Sequence, residues 1–230
     1  MSAMARRYRQ VATRVPTVRD DAGVHINVVD HPLATERLAS LRDESTPSAG
    51  FRRSLHELSG FVIYEATRSL ATEQYELRTP LAATTGRRVT PQPLLVPVLR
   101  AGLGMLVAAQ EMLPDAPVGF IGVRRNETTL LPDAYLSTVP PDLDGAPVLV
   151  LDPMLATGGS LVYTCEQIAE HNAGRLIVAC VLAAPEGLDH FAAAGFDAEV
   201  HTASVDERLN EVGFIVPGLG DAGDRQFGAQ

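Results

Sequence analysis

Val148-Leu149-Val150-Leu151-Asp152-Pro153-Met154-Leu155-Ala156-Thr157-Gly158-Gly159-Ser160 is the stretch that decides the fold. It opens with an apolar, partly β-branched run, reaches one acid, and passes into a turn of small residues. That pattern reads as a buried strand delivering a carboxylate to the rim of a sheet, followed by a loop whose backbone N–H groups can wrap a phosphate. Beyond it, Leu161, Val162, Cys165, Ile168 and Ala169 recur at helical spacing, and Gly174 stands where such a helix would end. A helix starting near Ser160 turns its positive end toward residues 157–160. Asp152 lies five residues before Thr157, so a carboxylate for hydroxyls and amides for a phosphate would sit about a ribose apart.

Working outward, short apolar runs alternate with helical patterns. Leu94–Leu99, Val118–Val123, Pro147–Leu151, Leu176–Ala183 and Ala198–Thr202 read as buried strands, with Pro97 expected at a strand end or a bulge. Leu55, Leu58, Phe61, Val62, Ala66 and Leu70 follow helical steps, predicting a helix over 51–70, and a second helix is expected from the Arg100–Gly104 turn to Met112. Residues 79–92, rich in Thr, Gly and Pro, read as short strands and turns. The alternation implies an α/β fold with a central parallel sheet flanked by helices on both faces. In such sheets ligands lie outside the carboxyl ends of the strands, where Arg100, Arg124, Arg125 and Asp152 fall.

Two further segments bear on chemistry. Residues 124–145 form a connection long enough to be a lid, and Arg125 on it could bring positive charge to a departing anion. The segment 212–228 is dense in glycine, which excludes a regular helix by this reading and lets backbone approach a flat ligand closely. Phe214, Ile215, Val216 and Phe227 within it call for burial.

Composition narrows the function classes. The 230 residues suit one domain, 46% hydrophobic and 20% charged, and no apolar run is long enough to cross a bilayer. The net charge of −9 disfavours a nucleic-acid backbone or an anionic membrane as partner. All 19 basic residues are arginine, which removes Walker-type loops and Schiff-base catalysis together. Cys165 and Cys180, one on a helix pattern and one in a strand pattern, point to a reduced interior, and the six histidines show no metal-ligand spacing. With no secretory segment, a cytoplasmic location is expected. Residues 1–24, holding five arginines and no acid before Asp20, read as a mobile or accessory N-terminal extension; they share a transit-peptide composition but lack its amphipathic helix.

With these segments in hand, the chain resembles the uracil phosphoribosyltransferases, a type I phosphoribosyltransferase family, from about Val24 to the C-terminus. The residues that carry the resemblance are Val96-Pro97-Val98-Leu99-Arg100-Ala101-Gly102-Leu103-Gly104-Met105, Asp152 through Ser160, Ala184-Pro185-Glu186-Gly187, and Ile215 through Arg225. The resemblance implies the type I phosphoribosyltransferase fold over 25–230, with a lid loop at 125–145 and a C-terminal base-binding hood at 205–230. It implies conversion of uracil and 5-phospho-α-D-ribose 1-diphosphate (PRPP) to UMP and diphosphate, in pyrimidine salvage. PRPP would be bound by Arg100, Arg125, Asp152, Pro153, Met154, Leu155, Ala156, Thr157, Gly158, Gly159, Ser160 and Asp221. Asp152 would take the ribose hydroxyls, the 156–160 amides the 5′-phosphate, and Arg100 and Arg125 the leaving diphosphate. Uracil would be held by Ile215, Gly220, Asp221 and Ala222. Mg²⁺ would be bound mainly through PRPP, with no protein metal site. A homo-oligomer, dimer or tetramer, and a GTP effector are implied as family properties, and no nucleic acid or membrane partner is. Pro153 stands where most type I members have a second acid, which is the uracil-specific pattern. Arg124 and Arg208 depart from the residues common at their positions, the latter from glycine. A sensor of PRPP or UMP that bound RNA would need a basic face, and a purine transferase would grip its base with side chains near the sheet rim.

Overall fold

The computed structural model describes residues 17–19, 24–125 and 132–228, with 17–19, 124–125 and 132–134 described by backbone alone. In chain order the elements are β1 (Thr17–Arg19), β2 (His25–Val28), α1 (Pro32–Arg42), α2 (Ser48–Ala66), β3 (Thr72–Arg78), β4 (Ala83–Val89), β5 (Leu94–Leu99), α3 (Leu103–Met112), β6 (Ile121–Arg125) and β7 (Pro132–Ser137). There follow β8 (Val148–Leu151), β9 (Met154–Leu155), α4 (Gly159–Ala169), β10 (Leu176–Ala183), α5 (Pro185–Ala193), β11 (Ala198–Val205), β12 (Arg208–Leu209), β13 (Ile215–Val216) and α6 (Ala222–Phe227).

The main sheet runs β1-β2-β11-β10-β8-β5-β6-β7, with β9 also pairing β10. From β2 to β6 every neighbour is parallel, but β1 and β7 are antiparallel edges, so the sheet is mixed rather than wholly parallel. The β6–β7 ladder shifts register between Gly122 and Val123, and a Cβ on Gly122 would meet the Tyr135 ring at 2.5 Å. The segment expected as a lid loop thus contains a strand, and residues 126–131 lie outside the described part. Thr17–Arg19, inside the expected N-terminal extension, pairs with β2.

Two apolar layers sandwich the sheet, and the two-residue strand period assigns side chains to them. Leu95, Leu149, Leu151, Ile177 and Ala179 pack with the buried faces of α1, α2 and α3. Leu94, Val96, Val148, Val150, Val178 and Cys180 pack on the other side with Leu161, Cys165 and Ile168 of α4 and Leu188 and Phe191 of α5. All eight residues of β10 are buried, as a central parallel strand requires.

Several expectations are corrected. The helix expected over 51–70 is α2, which starts at Ser48 and stops at Ala66, because the next amides bond only three residues back, Arg68 N to Glu65 O and Leu70 N to Thr67 O, and the chain turns there. The strand expected from Val118 begins at Ile121; Val118 touches β5 by one bridge to Leu95. The strand expected to end at Thr202 runs on to Val205. Pro97 lies inside β5, not at an end or a bulge. Leu95 bonds to Pro117 O and Gly119 N on the β6 side, and two residues later Pro97 presents no N–H there. The ladder resumes in the same register at Val98↔Ile121. Finally, the glycine-dense tail does contain a helix, α6, because Gly213, Gly218 and Gly220 precede it, Gly223 alone lies within it, and the Asp221 side chain caps Asp224 N at 2.8 Å.

Among the described residues no helix is long and apolar enough to cross a membrane. Cys165 and Cys180 are buried free thiols pushed up to about 12 by desolvation, which leaves them unreactive.

Candidate functional site

The strand β8 does not simply stop at Leu151. Asp152 and Pro153 continue it in register, and β9 pairs with Leu182 and Ala183 of the same neighbour, β10. Pro153 O accepts from both Val181 N and Leu182 N at 3.0 Å, so Pro153 is buried and turned into the sheet. Asp152 is thereby held rigidly at the sheet rim, while Met154 to Ser160 curl over its end.

A cleft of about 230 Å³ lies at the carboxyl ends of β5 and β8, lined by Val98 through Ala101, Asp152, Met154 through Gly158, Ser160 and Leu161. The structure therefore brings Arg100 and seven of the nine residues of the Asp152–Ser160 motif into one concavity. Pro153 and Gly159 stand behind it. The peptide between Leu99 and Arg100 is cis. Gly102 closes this corner: a Cβ there would meet Leu151 O at 2.3 Å and Val98 N at 2.7 Å.

Asp152 is half-buried, facing the cleft with apolar protein behind it. Loss of water pushes its carboxyl up to about 7, opposed only by a long hydrogen bond from Met154 N at 3.4 Å. Such a carboxyl is short of donors, and the hydroxyls of a bound sugar would supply them.

The turn ends at Gly158, whose φ of 82° is left-handed and whose Cβ would meet Gly187 O at 2.9 Å. Gly158 caps α4 with no side-chain hydrogen bond. The first amides of α4 thus open toward the cleft at the positive helix end. Helix α5 buttresses this turn from behind. A Cβ on Gly187 would meet Ala156 O at 2.2 Å and Leu155 O at 2.8 Å, both backbone. Gly187→Ala is therefore expected to push residues 155–156 into the cleft and lower kcat/KM for the phosphate-bearing substrate about 100-fold, read by steady-state kinetics beside a thermal melt. Unchanged kinetics would show that the turn gives way at no cost.

The C-terminal segment meets the cleft from above. Arg100 Nη2 lies 3.5 Å from Asp224 Oδ1. A Cβ on Gly213 would touch Thr157 Cγ2 at 3.5 Å. So residues 213 and 224 flank the mouth, and Ile215, Gly220, Asp221 and Ala222 lie between them in sequence. Ile215 and Ala222 are buried in the core on the α2 side, and Gly218 folds back so tightly that a Cβ would meet Ile215 O at 2.1 Å. Arg208 sits in β12 opposite Val216, and among the described residues only Asp144 and Asn172 are non-glycine with positive φ. No left-handed turn is needed at Arg208, so arginine fits. The side chains of Arg124 and Arg125 lie outside the described part; their backbone ends β6.

The clamps that hold this segment were not foreseen from sequence. Arg42, at the end of α1, donates to Asp206 through Nη1 (2.7 Å) and Nη2 (2.6 Å) and to Gly218 O at 2.8 Å. Gly218 N returns a bond to Asp206 at 2.9 Å, and Ser204 Oγ donates at 3.0 Å. Burial alone would raise the Asp206 carboxyl, but the Arg42 bonds, with those from Gly218 and Ser204, outweigh it and hold it below the usual carboxylate range. Arg225 stacks on Phe51 at 4.5 Å and donates to Leu219 O (3.0 Å) and Asp43 O (2.6 Å). Gln226 donates to Ala101 O at 3.1 Å, tying α6 to the Arg100 corner.

A family model described as uracil phosphoribosyltransferase matches residues 28–229. The uracil phosphoribosyltransferase of Streptomyces coelicolor is 52% identical over 209 residues, covering 90% of this chain and 99% of its own. That of Corynebacterium diphtheriae is 48% identical over 205 residues, covering 89% and 97%. Among solved structures, the AQ2163 protein of Aquifex aeolicus aligns with a TM-score of 0.84 at 38% identity, over 89% of this chain and 99% of that one.

Proposed function

The chain belongs to the uracil phosphoribosyltransferase family, and we propose that it joins uracil to PRPP, forming UMP and diphosphate in pyrimidine salvage, with the cleft between β5 and β8 as its PRPP site. The observation that carries the assignment of roles is the convergence of Arg100, Asp152 and the uncapped start of α4 on that one cleft, with residues 213 and 224 at its mouth. In this reading Asp152 accepts from the ribose hydroxyls and the amides of residues 156–160 surround the 5′-phosphate. Met154, Leu155 and Thr157 complete the wall. Arg100, and Arg125 from the β6–β7 arm, bind the diphosphate, which would displace Asp224 from Arg100. Ile215 and Gly220 to Ala222 hold the base through backbone, with Asp221 also facing PRPP.

The base nitrogen forms its bond to the anomeric carbon as the bond from that carbon to diphosphate breaks. The electron pair leaves on diphosphate, and the base nitrogen gives up its proton to solvent. No protein nucleophile is needed; the chain's part is alignment and stabilisation of the charge that develops on the leaving group. Among the described residues no three His, Cys, Asp or Glu side chains gather as a metal site. The acids at hand, Asp152 in the cleft and Asp221 and Asp224 near its mouth, suit an ion that arrives on PRPP. Bound there, Mg²⁺ would offset the negative charge of the diphosphate.

Charged hydrogen bonds contribute about 1.5–3 kcal/mol each, so Arg125→Ala is expected to lower kcat/KM for PRPP roughly ten- to a hundredfold. Unaltered kcat/KM would remove Arg125 from the site. The assay that tests the whole reading offers radiolabelled uracil, cytosine, hypoxanthine or orotate with PRPP and Mg²⁺. UMP from uracil alone is expected, and transfer to hypoxanthine instead would overturn it.

Cytoplasmic location, a GTP effector and homo-oligomeric association belong to the same reading. For association the support is the β3–β4 hairpin, which among the described residues pairs only with itself and carries Leu81 at its turn, 93% exposed. Such a hairpin is marginal in water alone, and a second copy would cover it. Adding GTP to the assay tests the effector.

A further inference from the structure

Helix α5 carries a motif, Ala184 to Gly187, that the proposed chemistry does not use, yet its exposed side chains reach both halves of the site. His190 Nδ1 lies 2.8 Å from Thr157 O, the carbonyl just before the left-handed Gly158. Glu186 Oε1, on the preceding turn of the same helix, accepts from Leu209 N in β12 at 3.1 Å. The hairpin that begins at β12 turns at Asn210, whose Oδ1 accepts from Val212 N and Phe214 N, and its Gly213 faces Thr157, close enough that an added Cβ would meet the Thr157 methyl at 3.5 Å. The contacts close a ring: α5 to Thr157, Thr157 to Gly213, Gly213 back through the hairpin to Leu209, and Leu209 to α5.

We infer that α5 is a brace that sets the span between the phosphate turn and the base-binding segment, with His190 and Glu186 as positioning residues for PRPP and uracil respectively. The inference rests on the functional reading above. The peptide between Thr157 and Gly158 can rotate unless its carbonyl is held, and rotating it would swing the Gly158 N–H that belongs to the phosphate cradle. Nδ1–H of His190 holds that carbonyl from outside, at a distance typical of a good hydrogen bond. Thr157 O can only accept, so Nδ1 carries the proton in this contact. Neither residue needs to touch a substrate. His190 acts through the 157–158 peptide of the phosphate turn and Glu186 through Leu209, whose partner across β12–β13 is Ile215, so each alters the affinity for one substrate and spares the other.

The test is a pair of kinetic and calorimetric series on the full chain with uracil and PRPP. Loss of one net hydrogen bond of this kind gives a change of roughly three- to tenfold. His190→Ala is expected to raise the PRPP KM, and the Kd for Mg²⁺-PRPP by calorimetry, about that much, leaving the uracil KM and the melting temperature near wild type. His190→Asn, whose Nδ2 falls close to the imidazole Nδ1 position, is expected to restore most of it. Glu186→Ala is expected to raise the uracil KM and spare the PRPP Kd, while Glu186→Gln, which keeps an oxygen acceptor, restores it. An unchanged PRPP Kd in His190→Ala overturns the inference, as does an equal rise in both KM values for either alanine variant. So does a fall in kcat at unaltered KM. A wild-type chain that makes no UMP from uracil would instead overturn the functional reading on which it stands.

Discussion

Asp206→Ala is expected to destabilise the protein by about 3 kcal/mol and to raise the uracil KM. Removing one partner of a buried pair leaves the other charge uncompensated, which costs roughly 3–5 kcal/mol. The lower end applies because a quarter of the Arg42 side chain reaches water, although only 2% of Asp206 does. Gly218 N loses its acceptor in the same change, at the turn that leads from β13 into residues 220–222. Urea titration should show the loss at constant m-value, and the melting temperature should drop by roughly 6–12 °C. Because the native carboxyl lies below its unfolded value, its contribution is complete above about pH 4 and is lost as the pH falls through the native value. The difference between variant and wild type should therefore shrink in acid. A destabilisation under 1 kcal/mol at pH 7 would mean that Arg42 finds water instead and that the clamp is ornamental.

Asp152→Ala is the second large effect, and it falls on activity instead. If the carboxylate accepts from two ribose hydroxyls at about 1.5–3 kcal/mol each, its loss should lower kcat/KM for PRPP by roughly 10²- to 10⁴-fold. Stability should move the other way. Burial raises the native carboxyl to about 7, far above the unfolded value, so between about pH 4 and pH 7 the unfolded state ionises first and the wild type loses stability. Above pH 7 the penalty is constant. Asp152→Asn should thus melt above wild type at pH 8 and level with it near pH 4. Since the hydroxyls need the ionised form, PRPP affinity of the wild type should rise through about pH 7, and the Asn variant should lack that rise. A variant that loses less than tenfold in kcat/KM, or one that melts lower at pH 8, would contradict the placement of Asp152.

The two residues show how far a linear reading reaches. Asp152 announces itself because everything that fixes it is local: four apolar residues make the strand, and the next eight make the turn and the helix start. Asp206 announces nothing, because its partner is Arg42, 164 positions away, and one arginine among 19 gives no pairing signal. Arg225 on Phe51, Gln226 on Ala101 and His190 on Thr157 were hidden for the same reason. Pro97 misled in the opposite direction. A proline in a central strand argues for a strand end when neighbours are unknown, and only the actual ladder reveals that the missing N–H falls where β5 and β6 are not bonded.

What this chain's linear order determined was each strand that buries both faces, the carboxylate at the end of β8, and the phosphate-type turn into α4, since hydrophobic period, glycine placement and helix polarity act over fewer than a dozen residues. Bringing Arg100, Thr157, Gly213 and Asp224 to one mouth, reversing the edge strands, and locking residues 206–226 onto α1 and α2 depended on the folded chain. Those contacts join groups whose separation along the backbone carries no energy of its own, and they exist only once the core has packed and excluded water around them.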